Sequence, residues 1–143
     1  MLEDFYPTPK TLINKLIEGL KLSEMASILE PSAGKGDICD VLKRRLESSY
    51  NRRSNIIDVI EINPDLQPIL RSKGYNLIQD DFLTFNTSKA YDLIIANFPF
   101  SSGDVHLAKA LRLVESNGGE LVCLVNAETI RNPFNTHRQM LIS

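Results

Sequence analysis

The chain has 143 residues, 43% hydrophobic and 24% charged, which suits one domain with a buried core and excludes disordered, collagen-like and coiled-coil classes. A formal net charge of −2 excludes global attraction to nucleic acid, so any such binding needs a local patch or another chain. The opening "MLEDFYPTPK" lacks a basic region followed by an apolar one, and no apolar run reaches the roughly 20 residues needed to span a bilayer, so a cytoplasmic protein with no membrane partner is expected.

Along the chain, Leu12, Ile13, Leu16, Ile17 and Leu20 recur at helical spacing and predict a helix from about Pro9 to Leu20, with Thr8 as N-cap and Pro9 as its first residue. Short apolar runs follow: "SILE", "IIDVIEI", "NLIQ", "YDLIIAN" and "ELVCLVN". Each is too short for a helix, and helical patterns lie between them at about 37 to 48, 64 to 73 and 103 to 116, the last stopped by "NGG". Strands and helices in alternation predict an α/β fold, a Rossmann-like doubly wound, mostly parallel sheet of about five strands with flanking helices. The charge cluster "KRRLESSYNRRS" reads as a solvated helix end or as a phosphate-contacting patch. Cys39 and Cys123 stand far apart with no CxxC or Cys/His cluster, so they read as small core residues, with no disulfide and no metal site.

Ligands of such sheets bind beyond the carboxyl ends of the strands, and the unusual residues of this chain all sit there. "LEPSAGKGD" follows the first strand, where Gly34 and Gly36 allow close backbone approach and the next helix offers its N-terminal amides. The residue three beyond Gly36 is Cys39, not the glycine a dinucleotide fingerprint requires, which argues against a nicotinamide oxidoreductase. Glu30 at that strand end either faces an amine or caps the following loop. Glu61 in "VIEINPD" is placed to accept from ribose hydroxyls or to act as a helix N-terminal charge, and Ile62 beside it can cover an adenine face. In "IQDDFLTF", Asp81 can accept from an exocyclic amine and Phe82 can pack on a ring, or the acids form a solvated turn. Finally "YDLIIANFPF" runs an apolar strand into Asn97, Phe98, Pro99 and Phe100, an amide followed by aromatics where a structural turn would use Gly, Asp or Ser.

Together these motifs resemble the class I S-adenosylmethionine-dependent methyltransferases, and within them the adenine-N6 DNA methyltransferases of restriction-modification systems. The resemblance covers nearly the whole chain: "FYPTP" is similar to the motif that closes over the methionine end of the cofactor, "LEPSAGKGD" to the glycine loop, "IEINPD" to the ribose motif, "DDF" to the adenine motif and "NFPF" to the catalytic tetrad. It implies that Tyr6, Thr8, Ser32, Gly34 and Gly36 hold the methionine part of S-adenosyl-L-methionine, with Glu30 reaching its ammonium. Glu61 would take the ribose hydroxyls, Ile62 and Phe82 would sandwich the cofactor adenine, and Asp81 would accept from its amino group. It implies too that Asn97 and the Phe98 carbonyl accept the two protons of a target amine whose lone pair is otherwise delocalised, while Phe100 stacks on a base swung out of its duplex. Pro99 restricts Phe98 to an extended conformation.

The chain departs from that pattern twice. Phe98 stands where the DNA enzymes usually carry proline; a proline there would keep the carbonyl and stiffen the loop, and an N-aliphatic-P-Y/F tetrad is typical of ribosomal RNA adenine dimethyltransferases. The chain is also expected to lack the C-terminal antiparallel strand pair, with one more helix starting at "NPFNTHRQM" and no target-recognition domain, so that residues 1–143 form an incomplete catalytic core. An open fifth strand would then invite self-association or a partner subunit, and DNA would be held by an absent region or another chain. Methylation of adenine N6 in ribosomal RNA, methylation of a glutamine amide in a protein, and a non-catalytic cofactor-binding remnant or assembly module stay open beside the DNA reading. His106 and His137 lie outside the motifs and read as surface helix residues.

Overall fold

The computed structural model describes residues 8–47, 56–99, 102–125, 128–133 and 141–142. The elements are α1 (Lys10–Ile17), β1 (Ser27–Glu30), α2 (Asp37–Glu47), β2 (Ile56–Ile60), α3 (Gln67–Ser72), β3 (Asn76–Gln79), β4 (Leu93–Asn97), α4 (Gly103–Asn117), β5 (Glu120–Val125), β6 (Glu128–Pro133) and β7 (Leu141–Ile142). They form one sheet in the order β3-β2-β1-β4-β5-β6-β7, parallel through β5. This is the α/β Rossmann-like arrangement that the alternating pattern predicts.

The central strands are largely apolar because the sheet is covered there on both faces, while the outer strand β3 is only partly buried. In β4, Leu93 and Ile95 enter one apolar layer and Ile94 and Ala96 the other, as a period of two requires, and none is more than 2% exposed. Ile28 and Leu29 of β1, and Val59 and Ile60 of β2, divide in the same way. The first layer is filled by α1 (Ile13, Leu16, Ile17), by α2 (Ile38, Cys39, Leu42) and by Leu70 of α3. The second is filled by Ala110 and Val114 of α4 with Phe82, Phe85 and Phe98. Each large side chain so buried contributes about 1.5–3 kcal/mol, which is what holds such short strands in place.

Three expectations are corrected. Helix α1 begins at Lys10 with Pro9 as its N-cap, and the Thr8 hydroxyl turns instead to Asn97. Helix α3 begins at Gln67 because Asn63 Oδ1 accepts from Asp65 N–H at 2.9 Å and closes a turn there. The largest correction concerns the antiparallel strand pair expected to be missing, because β6 and β7 are present. β6 runs antiparallel along all of β5, from Glu120 opposite Pro133 to Val125 opposite Glu128, and β7 pairs with β6 at Ile130 and Arg131. Asn132 and Pro133, read as a helix start, end β6, where a proline without an N–H interrupts little. Strand β5 is therefore covered, and the outer strands of the described sheet are β3 and β7. No described helix is long and apolar enough to cross a membrane.

Strand β1 lies between β2 and β4, so the chain steps outward from β1 through β2 to β3 and then returns to the other side of β1. At this reversal the connections diverge and leave a crevice above the carboxyl ends of the strands. Glu30 and Asn97 end β1 and β4, Glu61 directly follows β2, and Asp81 lies two residues beyond β3.

Candidate functional site

A cleft of about 480 Å³ opens at this place. Its walls are Pro31 to Lys35 after β1, Glu61 to Leu66 after β2, Asp80 to Leu83 after β3, and Asn97 and Pro99 after β4, closed by Thr8, Ser102 and His106. Asp37, Glu61, Asp65, Asp80 and Asp81 border it against Lys35, so a neutral or cationic ligand is favoured over a polyanion.

Glu30 lies beneath the floor, 1% exposed, with Oε1 accepting from Ser32 N–H at 2.9 Å. Its other oxygen is the one buried side-chain polar atom without a partner among the described residues. Burial pushes its pKa well above the carboxylate range; the Ser32 N–H opposes this and nearby Glu61 adds to it. A ligand that brings a donor, such as an ammonium or a water bound to one, would give this oxygen a partner and draw the acid toward its ionised form. Ser32 itself lines the cleft.

Glu61 is 8% exposed and joins two loops: Oε1 accepts from Gly34 N–H at 2.7 Å and Oε2 from Asn63 N–H at 2.8 Å. Burial raises its pKa while these amides lower it. A carboxylate has about four acceptor sites, so two bonds leave capacity for a diol. Gly34 borders the cleft, whereas Gly36 does not. With φ at +98°, Gly36 is a glycine for packing: a Cβ there would meet Tyr75 Cε2 at 3.2 Å and Leu70 Cδ2 at 3.3 Å. Behind the same loop, Lys73 Nζ donates to the Lys35 carbonyl at 2.7 Å and to Asp40 at 2.8 Å. This brace carries no motif and was not readable in the sequence.

Asp81 N-caps the turn Phe82–Thr84 through Leu83 N–H at 2.9 Å, so one oxygen does the structural work that the turn reading expects, while the residue also borders the cleft. Ile62, 65% exposed, and Leu83, 38% exposed, offer apolar surface at the cleft. Phe82 also lines it but is 2% exposed, with its ring against Phe98 (6.2 Å between centroids) and His106 (5.9 Å).

Asn97 closes the far end. Its Nδ2 donates to Thr8 Oγ1 at 3.1 Å, which orients the amide plane at the end of β4. Phe98 is buried, and its N–H donates to the Leu124 carbonyl at 3.2 Å. That bond explains how a residue other than proline is fixed here, and it removes the expectation that proline would be harmless. Pro99 lines the cleft and its carbonyl accepts from Ser102 N–H at 3.4 Å. Tyr6 and Phe100 lie outside the described residues. His106 is not the surface residue expected: it is half-buried, it lines the cleft, and its Nδ1 lies 2.8 Å from the Ser102 carbonyl. Helical phase was the available signal, because His106, Ala110 and Val114 share one face and the latter two are buried. Cys39 and Cys123 are buried and free, with the Cys123 thiol pushed up to about 12 by burial. Among the described residues no group of His, Cys, Asp and Glu is placed to hold a metal.

No family model matches the chain. It is 34% identical over 94 residues to the type II methyltransferase M.CvrRI of Paramecium bursaria Chlorella virus XZ-6E, an alignment covering 65% of this chain and 23% of that protein. The chain thus matches less than a quarter of that relative's length. Among solved structures, the RNA methyltransferase from Salinibacter ruber in complex with S-adenosyl-L-homocysteine superposes with a TM-score of 0.63 at 18% identity, over 85% of this chain and 80% of that one. The 23S rRNA methyltransferase ErmE does so with a TM-score of 0.59 at 16% identity, over 85% and 48%. With the cleft at the strand ends and the glycine loop beneath it, this chain shares the α/β fold of these solved methyltransferases.

Proposed function

We propose that residues 1–143 are the S-adenosyl-L-methionine-binding catalytic core of an enzyme that methylates the exocyclic N6 amine of adenine in DNA. The observation that carries this reading is the position of Asn97: a held amide at the carboxyl end of β4, at one end of an acid-lined cleft, followed by a buried Phe98 and by Pro99. The type II methyltransferase likeness supports DNA as the target.

The cleft fits the cofactor by its own chemistry. The acidic border and the unpartnered Glu30 oxygen, which a cationic ligand would ionise, suit a ligand carrying an ammonium and a sulfonium. Glu61 would take the ribose hydroxyls with its remaining acceptor capacity, Ile62 and Phe82 would border the adenine, and Asp81 would accept from its amino group. The cofactor, when bound, supplies an electrophilic methyl group. The chain's own residues then act on the amine: Asn97 Oδ1 and the Phe98 carbonyl each accept one of its protons, which favours the pyramidal nitrogen and aims its lone pair. Positioning and fixed dipoles supply the acceleration, with no strong base required. Phe100 would stack on the extruded base. Contact with the DNA duplex falls to another region or subunit, because this core is weakly acidic.

Calorimetry with S-adenosyl-L-homocysteine and NAD tests the cofactor, and transfer of labelled methyl to adenine-containing DNA and RNA oligonucleotides tests the target. Binding of the homocysteine product with transfer to DNA is the expected result. Equal or tighter NAD binding sinks the cofactor reading, and transfer to RNA alone replaces the DNA reading with an RNA one.

A further inference from the structure

His106 connects α4 to both sides of the residue that would stack on the target. Its ring lies 5.6 Å from that of Phe98 at an interplanar angle of 45°, and 5.9 Å from that of Phe82 at 29°. Phe82 and Phe98 are themselves 6.2 Å apart at 16°, so the three rings form a closed triangle at ordinary aromatic contact distances. On its other side, His106 Nδ1 lies 2.8 Å from the carbonyl of Ser102, the N-cap residue of α4. A carbonyl oxygen only accepts, so Nδ1 carries the proton. One side chain therefore touches Phe98, before Phe100, and Ser102, after it. Lys109, one turn further along α4, supports the same region: its Nζ donates to the Leu83 and Phe85 carbonyls and sits 5.9 Å from the Phe82 ring centroid.

A helix surface histidine needs neither contact. The Ser102 bond alone would be a local helix-end interaction, and the ring contacts alone would be core packing. Their coincidence in a residue that also borders the cleft sets His106 apart. The Phe98 peptide carries the second acceptor of the reaction, and its N–H is fixed to Leu124. What the His106 ring adds is a constraint on the rotation of the Phe98 side chain.

We propose that His106 is a positioning residue: its ring holds Phe98 in the aromatic triangle while its Nδ1–H holds Ser102, so that the Phe98 carbonyl and Asn97 are presented together to the target amine. This rests on the function proposed above. His106 does not touch the reacting atoms; it acts through Phe98 and Ser102.

Three variants separate its two contacts. His106→Phe keeps the ring and loses the Ser102 bond, His106→Asn places an amide N–H near the Nδ1 position and loses the ring, and His106→Ala loses both. Backbone amide relaxation dispersion on the full chain is the first readout. The wild type should be quiet at Phe98 and Ser102. His106→Ala should show exchange on the microsecond-to-millisecond scale at both, His106→Phe at Ser102 only and His106→Asn at Phe98 only. The second readout is turnover on an adenine-containing oligonucleotide: His106→Ala should lower kcat by about 10- to 100-fold, the range a displacement of about 1 Å can produce, with affinity for S-adenosyl-L-homocysteine within about twofold of wild type. His106→Phe and His106→Asn should each recover part of that loss. Quiet amides at Phe98 and Ser102 in His106→Ala would overturn the proposal, even in a chain that transfers no methyl. So would an unchanged kcat, or a loss of cofactor affinity as large as the loss of kcat. A wild-type chain that transfers no methyl to any amine counts against the proposed function, while the relaxation result still decides the role of His106.

Discussion

Replacing Glu30 with Gln isolates the ionisation of the buried carboxyl at the end of β1, because shape is kept and only the titration is lost. In the unfolded chain this group titrates near the ordinary Glu value of about 4.3. In the folded chain, burial holds it protonated to a higher pH, helped by the Glu61 charge and opposed by the Ser32 N–H. Between those two values the folded state binds the extra proton, so stability falls as pH rises. This contribution is fully present below the unfolded value and is lost as pH passes through the folded one. One proton of difference gives a slope of about 1.4 kcal/mol per pH unit, and Gln has none. Urea denaturation of both proteins from about pH 4 to 8 at fixed ionic strength should therefore show curves that diverge in favour of Glu30→Gln as pH rises above the unfolded value, at up to that slope, until the folded value is passed. Glu61, also raised by burial, titrates in both proteins and largely cancels. The amide's additional N–H groups shift the intercept and not the slope. Parallel curves across the range would refute the argument that Glu30 resists ionisation in the folded chain.

Asn97→Ala should reduce methyl transfer by about 100- to 1000-fold, while calorimetry shows cofactor affinity nearly unchanged, since the lost acceptor acts on the target amine. Phe98→Pro should lower activity and stability together, because proline cannot donate to the Leu124 carbonyl; a melting temperature equal to wild type would count against that bond. Gly119→Ala should be among the most damaging glycine substitutions. Gly119 has φ at +100° and a Cβ there would lie 2.0 Å from the Tyr91 carbonyl oxygen, so a backbone strain of about 1–3 kcal/mol adds to a clash that the start of β4 and β5 must move to relieve. Gly74→Ala, with φ at +85° and open space around the added carbon, is the control and should cost the strain alone.

The parallel half of the fold is readable in the sequence because a strand buried on both faces must be apolar at every position. "SILE" matches β1 at both ends for that reason, while "NLIQ" matches β3, an outer and only partly buried strand, through its short apolar centre. Strand β6 is not readable in this way: "ETIRNP" has a single large apolar residue, and its pairing with β5 rests on backbone bonds that leave no trace in composition. Asn-Pro within it reads as a helix start by local chemistry, and the β5 ladder overrides that preference. The punctuation after each strand pointed to the rim where the cleft lies, because strand ends of a doubly wound sheet converge there. What stayed hidden were side chains acting from another element. Lys73 braces the glycine loop across 38 positions, and His106 reaches Ser102 and Phe98 from within a helix of ordinary composition.

The pairing of β1 with β4 has a kinetic consequence. Asp92, just before β4, accepts from Ala26 N–H at 2.7 Å across 66 positions of chain, whereas the antiparallel partners β5 and β6 follow one another closely in sequence. Closing the long loop costs more chain entropy than pairing β5 with β6, so the central parallel pair should form late in folding. The cleft straddles that pair, with Glu30 beneath it on β1 and Asn97 on β4. A ligand bound there can therefore engage only a molecule whose last long-range pairing is complete. Such a ligand should slow unfolding and leave the refolding rate unchanged, and an accelerated refolding rate at saturating S-adenosyl-L-homocysteine would show that the cleft is instead assembled early.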